Sequence, residues 1–151
     1  MSGLVTDEIR SWIGRSSPPV ELEVSRRDIV KYSLATQQTQ LHFLKGDEAP
    51  PMFLFGADRP LSTLENLRTD GLPNDPLTPP LPLKRVMAGG IEQRYYGKIR
   101  PGDKLTIQRK ISDIYEKRGK SGPLIFVDYL ISVMGSDGTL VLEQKQRRIN
   151  R

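Results

Sequence analysis

At 151 residues the chain has room for one domain, and its 36% hydrophobic and 27% charged residues describe an ordinary water-exposed globular protein. With no cysteine and a single histidine, disulfides, thiolate nucleophiles and Cys- or multi-His metal sites are excluded, and no metal is expected. Formal charge is +5, but the basic residues alternate with apolar ones and aromatics are only 7%, so neither a nucleic-acid nor a membrane partner is expected.

The N-terminal stretch carries acidic residues and lacks an apolar run, so no secretory leader is expected and a cytoplasmic location is the default. Residues 6–13 read as a short helix: Thr6 as N-cap, Asp7 and Glu8 in the first turn, a stripe of Ile9, Trp12 and Ile13, and Gly14 as the stop. Trp12, the only tryptophan, is expected to anchor this helix to a sheet. Residues 20–24 alternate as a short strand. Ser25 then caps a second helix over residues 26–35, with Ile29, Val30 and Leu34 inward.

The segment 36–43 is polar and irregular and holds His42. Pro51 suits the first position of a helix, and residues 52–55 are apolar on all sides, so this short element is expected to be buried. From about residue 60 to 83 the chain is too rich in proline for a central strand or long helix. It reads as a lid, binding loop or crossover, with one or two helical turns near residues 62–68.

The second half reads as four strands: residues 91–99, 104–115, 123–134 and 139–149. Gly-bearing turns at residues 100–103, 118–122 and 135–138 join them. Helices first and an antiparallel meander last give an α+β layout, a single domain over residues 1–151 whose sheet buries one face on helical material.

His42 is the one side chain whose ordinary pKa suits proton transfer near neutral pH. No serine sits in a nucleophile elbow, and no phosphate-binding glycine fingerprint exists. Gly89 and Gly90 either let a ligand or another chain approach the backbone or form a β-bulge.

Several stretches match a known family in order: W-I-G at 12–14, Y-S-L-A-T at 32–36, A-P-P at 49–51, R-V-M-A-G-G at 85–90 and R-P-G-D-K-L at 100–105. I-S-D-I-Y-E-K-R-G-K-S-G at 111–122, L-I-F-V at 124–127 and the closing strand to Arg151 follow. Together they resemble the MaoC-like dehydratases, and within them the FAS1-type dehydratase region in the N-terminal half of mesaconyl-CoA hydratase-like enoyl-thioester hydratases. The resemblance implies a hot-dog fold, an antiparallel sheet wrapped around a central helix. It implies (R)-specific water addition to, or removal from, a 2-enoyl thioester. No resident cofactor is implied, because the substrate itself carries coenzyme A or a carrier-protein thioester.

The family's active-site motif has the form G-D-x-N-P-x-H. Here His42 matches, but Gln37 stands at the Asp position and Thr39 at the Asn position. Glutamine has no basic carboxylate, so the motif lacks its general base. The resemblance therefore implies the non-catalytic half of a hydratase, paired with a second hot-dog subunit, identical or different, that supplies Asp and His. Arg85, Gly89, Gly90, Lys117, Arg118 and Lys120 are the expected contacts to the acyl-CoA. An acyl-CoA or acyl-carrier-binding scaffold without chemistry is the first alternative. A hot-dog thioesterase is the second, although Asp28 and Asp47, the acids nearest His42 in sequence, sit in no recognised motif.

Overall fold

The computed structural model describes residues 3–151, so Met1 and Ser2, and the part of the leader expectation that rests on them, lie outside the described residues. In chain order come α1 (Asp7–Arg10), β1 (Val20–Glu23), α2 (Arg26–Ala35), α3 (Leu41–Leu44) and a short 3-10 turn (Leu64–Asn66). The long strands follow: β2 (Val86–Tyr95), β3 (Lys104–Gly119), β4 (Gly122–Gly135) and β5 (Leu140–Asn150). All strand pairs are antiparallel, in the order β1-β3-β4-β5-β2. No helix is long and apolar enough to cross a membrane.

Alternation decides which face is buried. Leu105, Ile107 and Ile111 of β3 point inward, and a bulge between Ile111 and Asp113 inserts one residue so that Ile114 stays on the same face. Ile125, Val127, Tyr129, Ile131 and Val133 of β4 face the same way without interruption. Two apolar clusters cover this inner face. Val24, Ile29, Ala49, Leu54 and Ile99 pack on one end, and Val5, Ile9, Leu77 and Leu81 on the other.

The helices are capped as their sequences require. The Thr6 hydroxyl accepts from the Ile9 N–H at 3.3 Å and the Ser25 hydroxyl from the Asp28 N–H at 3.0 Å. Helix α1 is shorter than its stripe suggests, and turns continue the chain to Gly14. Trp12 packs against the second cluster, with the Arg15 guanidinium 4.2 Å from its ring.

Residues 51–59 form successive turns rather than a helix, and only Leu54 of the 52–55 stretch is buried. Met52 adopts φ 68, a left-handed conformation that breaks any helix at the position after Pro51. Phe55 is 54% exposed. The hot-dog sheet therefore rests on α2, through the fully buried Ile29, together with these turns and the Pro-rich segment.

Candidate functional site

The segment carrying His42 begins where α2 ends. The Thr36 hydroxyl donates to the Tyr32 carbonyl at 2.8 Å, and Gln37 turns the chain at φ 55. His42 then lies exposed on α3, its ring centroid 4.0 Å from that of Phe43. Among the described residues no carboxylate hydrogen-bonds or ion-pairs with it; Asp47, five positions on, is held by Arg26 instead. Gln37 and Thr39 are exposed as well. Nothing here resembles a base–water–acid arrangement.

The substrate contacts expected from sequence gather at one end of the sheet. Lys117 pairs with Leu124, and one row beyond the Ile125–Asn150 pair Arg151 pairs with Arg85 through two backbone hydrogen bonds of 2.9 and 3.1 Å. Paired residues share a face, so Lys117, Leu124, Arg151 and Arg85 form one transverse row on the outer face with three basic members; Arg118, next to Lys117 in β3, points to the opposite face, and Lys120 lies in the β3–β4 turn. The next row is apolar: Tyr115 and Phe126 stack at 5.0 Å, followed by Ile149 and Met87. Lys117 Nζ lies 5.3 and 5.4 Å from the two stacked rings.

Gly89 and Gly90 sit at the β2 bulge but differ in environment. A Cβ on Gly89 would lie 2.6 Å from Arg147 Cγ and 2.9 Å from Ile149 Cγ1, so Gly89 makes room for this chain's own side chains. Gly90, at φ 129, has open space around it and lines a shallow hollow with Ser112, Asp128, Lys145 and Arg147. Arg147 holds Asp128 through two hydrogen bonds of 2.7 and 2.8 Å, which raises its pKa further above the usual arginine value.

The most constrained polar constellation was not anticipated from the sequence. Arg109 occupies an inward position of β3 between Ile107 and Ile111 and is 3% exposed. Its Nη2 donates to Asp75 Oδ1, its Nε lies 3.6 Å from Asp58 Oδ2, and its guanidinium carbon sits 5.0 Å from the Tyr129 ring centre. Arg148 approaches the other Asp75 oxygen at 3.9 Å and covers Tyr129 at 5.2 Å. Burial raises the Asp75 pKa, but the Arg109 charge and hydrogen bond outweigh it, leaving a net value below the usual carboxylate range. Burial pushes the Tyr129 hydroxyl up, and that group donates to the Leu77 carbonyl at 3.1 Å. The signal was present: a lone arginine in an inward alternation, and Gln144, Gln146, Arg148 and Asn150 on the inward positions of β5.

These groups strap the Pro-rich segment onto the sheet. Arg109 holds Asp75, Tyr129 holds Leu77, and Asn150 Nδ2 donates to the Leu83 carbonyl at 3.1 Å. Against β1 the segment leaves a cavity of about 160 Å³ floored by Asp58, Asp75 and Arg109. A second cavity of about 210 Å³ lies on the other side of Pro73 and Asp75, lined by Arg59, Arg68, Tyr129 and Arg148. Among the described residues no group of three or more acidic or histidine side chains is gathered as a metal site.

A five-stranded antiparallel sheet packed on a single ten-residue helix is a hot-dog layout. The model of the FAS1-like dehydratase domain region matches residues 11–144, and the chain belongs to that family. Mesaconyl-C(4)-CoA hydratase of Chloroflexus aurantiacus is 27% identical over 118 residues, covering 78% of this chain and 42% of that protein, so the chain spans less than half of the relative's length. The ChsH1-ChsH2 complex of Mycobacterium tuberculosis matches with TM-score 0.68 at 19% identity, over 94% of this chain and 86% of that one. The HadBC (3R)-hydroxyacyl-ACP dehydratase complex of the same organism matches with TM-score 0.67 at 15% identity, over 92% and 97%. At these identities the likeness shows the fold.

Proposed function

We propose that this chain is the non-catalytic half of an (R)-specific 2-enoyl-thioester hydratase or dehydratase, shaping the acyl-CoA pocket beside a catalytic hot-dog subunit. The observation that carries the reading is the state of the 36–42 segment. By the resemblance His42 matches the family motif's histidine while Gln37 stands at the carboxylate position and Thr39 at the asparagine position, and among the described residues no acid hydrogen-bonds or ion-pairs with the imidazole. A positioned general base contributes roughly 10² to 10⁴-fold in rate, and this segment does not present one.

The partner supplies Asp and His, which take a proton from water as its oxygen bonds to the enoyl β-carbon and return a proton to the α-carbon; backbone N–H groups hold the thioester oxygen on which negative charge develops in between. The chemistry is water addition with proton transfer and uses no resident cofactor. This chain contributes a wall: the strapped Pro-rich segment, the turns at residues 51–59 and the inner face of β5. Arg85 and Lys117, with Arg118 and Lys120 at the neighbouring β3–β4 turn, meet the coenzyme A phosphates; Gly90 leaves the backbone open two rows further along, and Gly89 seats Arg147.

The partner docks along β2. This strand ends the sheet, is ten residues long and exposes Val86, Met87, Ile91 and Tyr95. An exposed apolar edge of that length invites strand pairing unless something covers it. Two of the structural neighbours are themselves complexes, which supports a heteromeric assembly.

Mixing the purified chain with a hot-dog subunit that carries the complete motif tests the reading. Loss of enoyl absorbance without release of free thiol, seen only in the mixture, is the expected result. Thiol release indicates hydrolysis, and binding without either indicates a scaffold; both overturn the proposal.

A further inference from the structure

The cavity of about 210 Å³ between the Pro-rich segment and the inner face of β5 has room for roughly seven non-hydrogen atoms at about 30 Å³ each. Leu72, Leu81 and Val86 give it apolar walls, and Arg59, Arg68 and Arg148 bring guanidinium groups to it. Arg68 is held by Asp70. Arg148 has no such hold: it stays 3.9 Å from Asp75 Oδ2 and donates no side-chain hydrogen bond. It is 24% exposed, and none of its nitrogens is shut off from the surface, in contrast to Nε and Nη1 of Arg109. The exposed Arg59 side chain is unpaired as well.

Arg148 is also positioned in advance. Its guanidinium carbon lies 5.2 Å from the Tyr129 ring centre, and the Tyr129 hydroxyl is tied to the Leu77 carbonyl. Around the cavity Arg59, Arg68, Arg109 and Arg148 stand against Asp58, Asp70 and Asp75, which leaves one positive charge over. A cation is therefore repelled, and an alkyl or hydroxyl group leaves that charge unmatched. Phosphate matches it but sets its remaining hydrated oxygens against the apolar walls. A carboxylate on a short aliphatic chain satisfies both parts: two oxygens for the guanidinium fork and methylenes for Leu72, Leu81 and Val86.

We infer that this cavity is a binding site for a short aliphatic carboxylate, with Arg148 and Arg59 holding its oxygens. The inference is read from this chain's own residues and does not rest on the acyl-thioester reading.

Butyrate, n-butanol and inorganic phosphate are titrated into the chain at about pH 6, where a carboxylic acid is ionised. The Arg148 Nε–H resonance, assigned by its loss in Arg148→Lys, is followed. Butyrate is expected to shift it saturably, n-butanol to leave it in place, and phosphate to bind at least about tenfold more weakly than butyrate. Read from the backbone amides of Leu81 and Val86, Arg148→Gln should weaken butyrate at least about tenfold and the exposed Arg59→Gln about threefold, with thermal unfolding as the check on folding. Glutaryl-CoA, which carries the same carboxylate and three methylenes, separates the sources of the ligand. Displacement of butyrate identifies the far end of an acyl thioester, its absence a free acid, and the site stands in both cases. No saturable shift with butyrate, equal binding of phosphate, or butyrate binding that neither glutamine variant weakens overturns the inference.

Discussion

Arg109 of β3 and Asp75 of the Pro-rich segment, 34 positions apart in sequence, form a largely buried ion pair that fixes the one long irregular stretch of the chain against the sheet. Removing Asp75 leaves the buried Arg109 with only the longer contact to Asp58 at 3.6 Å, and loss of one partner of a buried pair costs up to about 3–5 kcal/mol. Asp75→Ala should therefore lower stability in urea by that order and speed hydrogen exchange around Leu77. Arg109→Met combined with Asp75→Ala should cost less than the two single changes added together, because Arg109 and Asp75 no longer leave each other without a partner, while Asp58 loses Arg109 in both Arg109→Met variants.

The same pair sets an acid limit. The folded-state pKa of Asp75 lies below its unfolded value, so its contribution is full above the ordinary carboxylate range and is lost as pH falls through the lower folded value. The stability gap between the wild type and Asp75→Asn should stay constant above about pH 5 and begin to close below about pH 4, where Asp75 becomes protonated in the unfolded chain first and, at lower pH, in the folded chain. Urea midpoints measured across that range provide the check. A gap that persists at low pH would show that Asp75 acts through packing alone.

Three glycines should respond differently to alanine. At Gly46, φ 73 combines with Arg26 Cγ at 2.8 Å and Val30 Cγ2 at 2.9 Å from the new Cβ, so strain and clash add to about 2–3 kcal/mol. Gly89→Ala meets Arg147 Cγ at 2.6 Å and Ile149 Cγ1 at 2.9 Å, atoms close to their own backbone, and should cost about 1–2 kcal/mol, with Arg147 displaced from Asp128. Gly90→Ala meets nothing but is strained by φ 129. Thermal unfolding should rank Gly46→Ala as the most damaging.

Along β2, Met87→Lys or Ile91→Lys places a charge on the exposed edge without disturbing a buried side chain. Each should weaken association with the catalytic subunit by at least about tenfold while changing the chain's own stability by less than about 0.5 kcal/mol. Analytical ultracentrifugation of mixtures reads the first effect and urea unfolding the second.

The strands were legible where alternation is clean. β4 runs Ile125, Val127, Tyr129, Ile131 and Val133 inward without interruption, and its position follows from that pattern. β2 was harder, because its first residues include Gly89 and Gly90, which carry no strand preference; pairing with β5 extends the strand back to Val86 across the bulge. The 52–55 stretch misled by composition: four apolar residues suggest burial, but the turn at Met52 directs only Leu54 inward. Helix α3 is a single turn, and its polar surroundings gave no period to read. The Arg109 constellation depends on Asp58 and Asp75 arriving from a distant loop, which local pattern does not encode. The inward arginine itself was visible in the β3 alternation.

The central claim is that this chain shapes a hydratase pocket without supplying its proton chemistry. Hydration of crotonyl-CoA, followed by loss of enoyl absorbance, tests it most directly with three samples: the chain alone, the chain with a catalytic hot-dog subunit, and the same mixture carrying His42→Ala. The account predicts no turnover from the chain alone, turnover from the mixture, and a rate within about twofold of it for the His42→Ala mixture, against the roughly 10² to 10⁴-fold loss expected for a general base. Turnover by the chain alone that disappears in His42→Ala would contradict it.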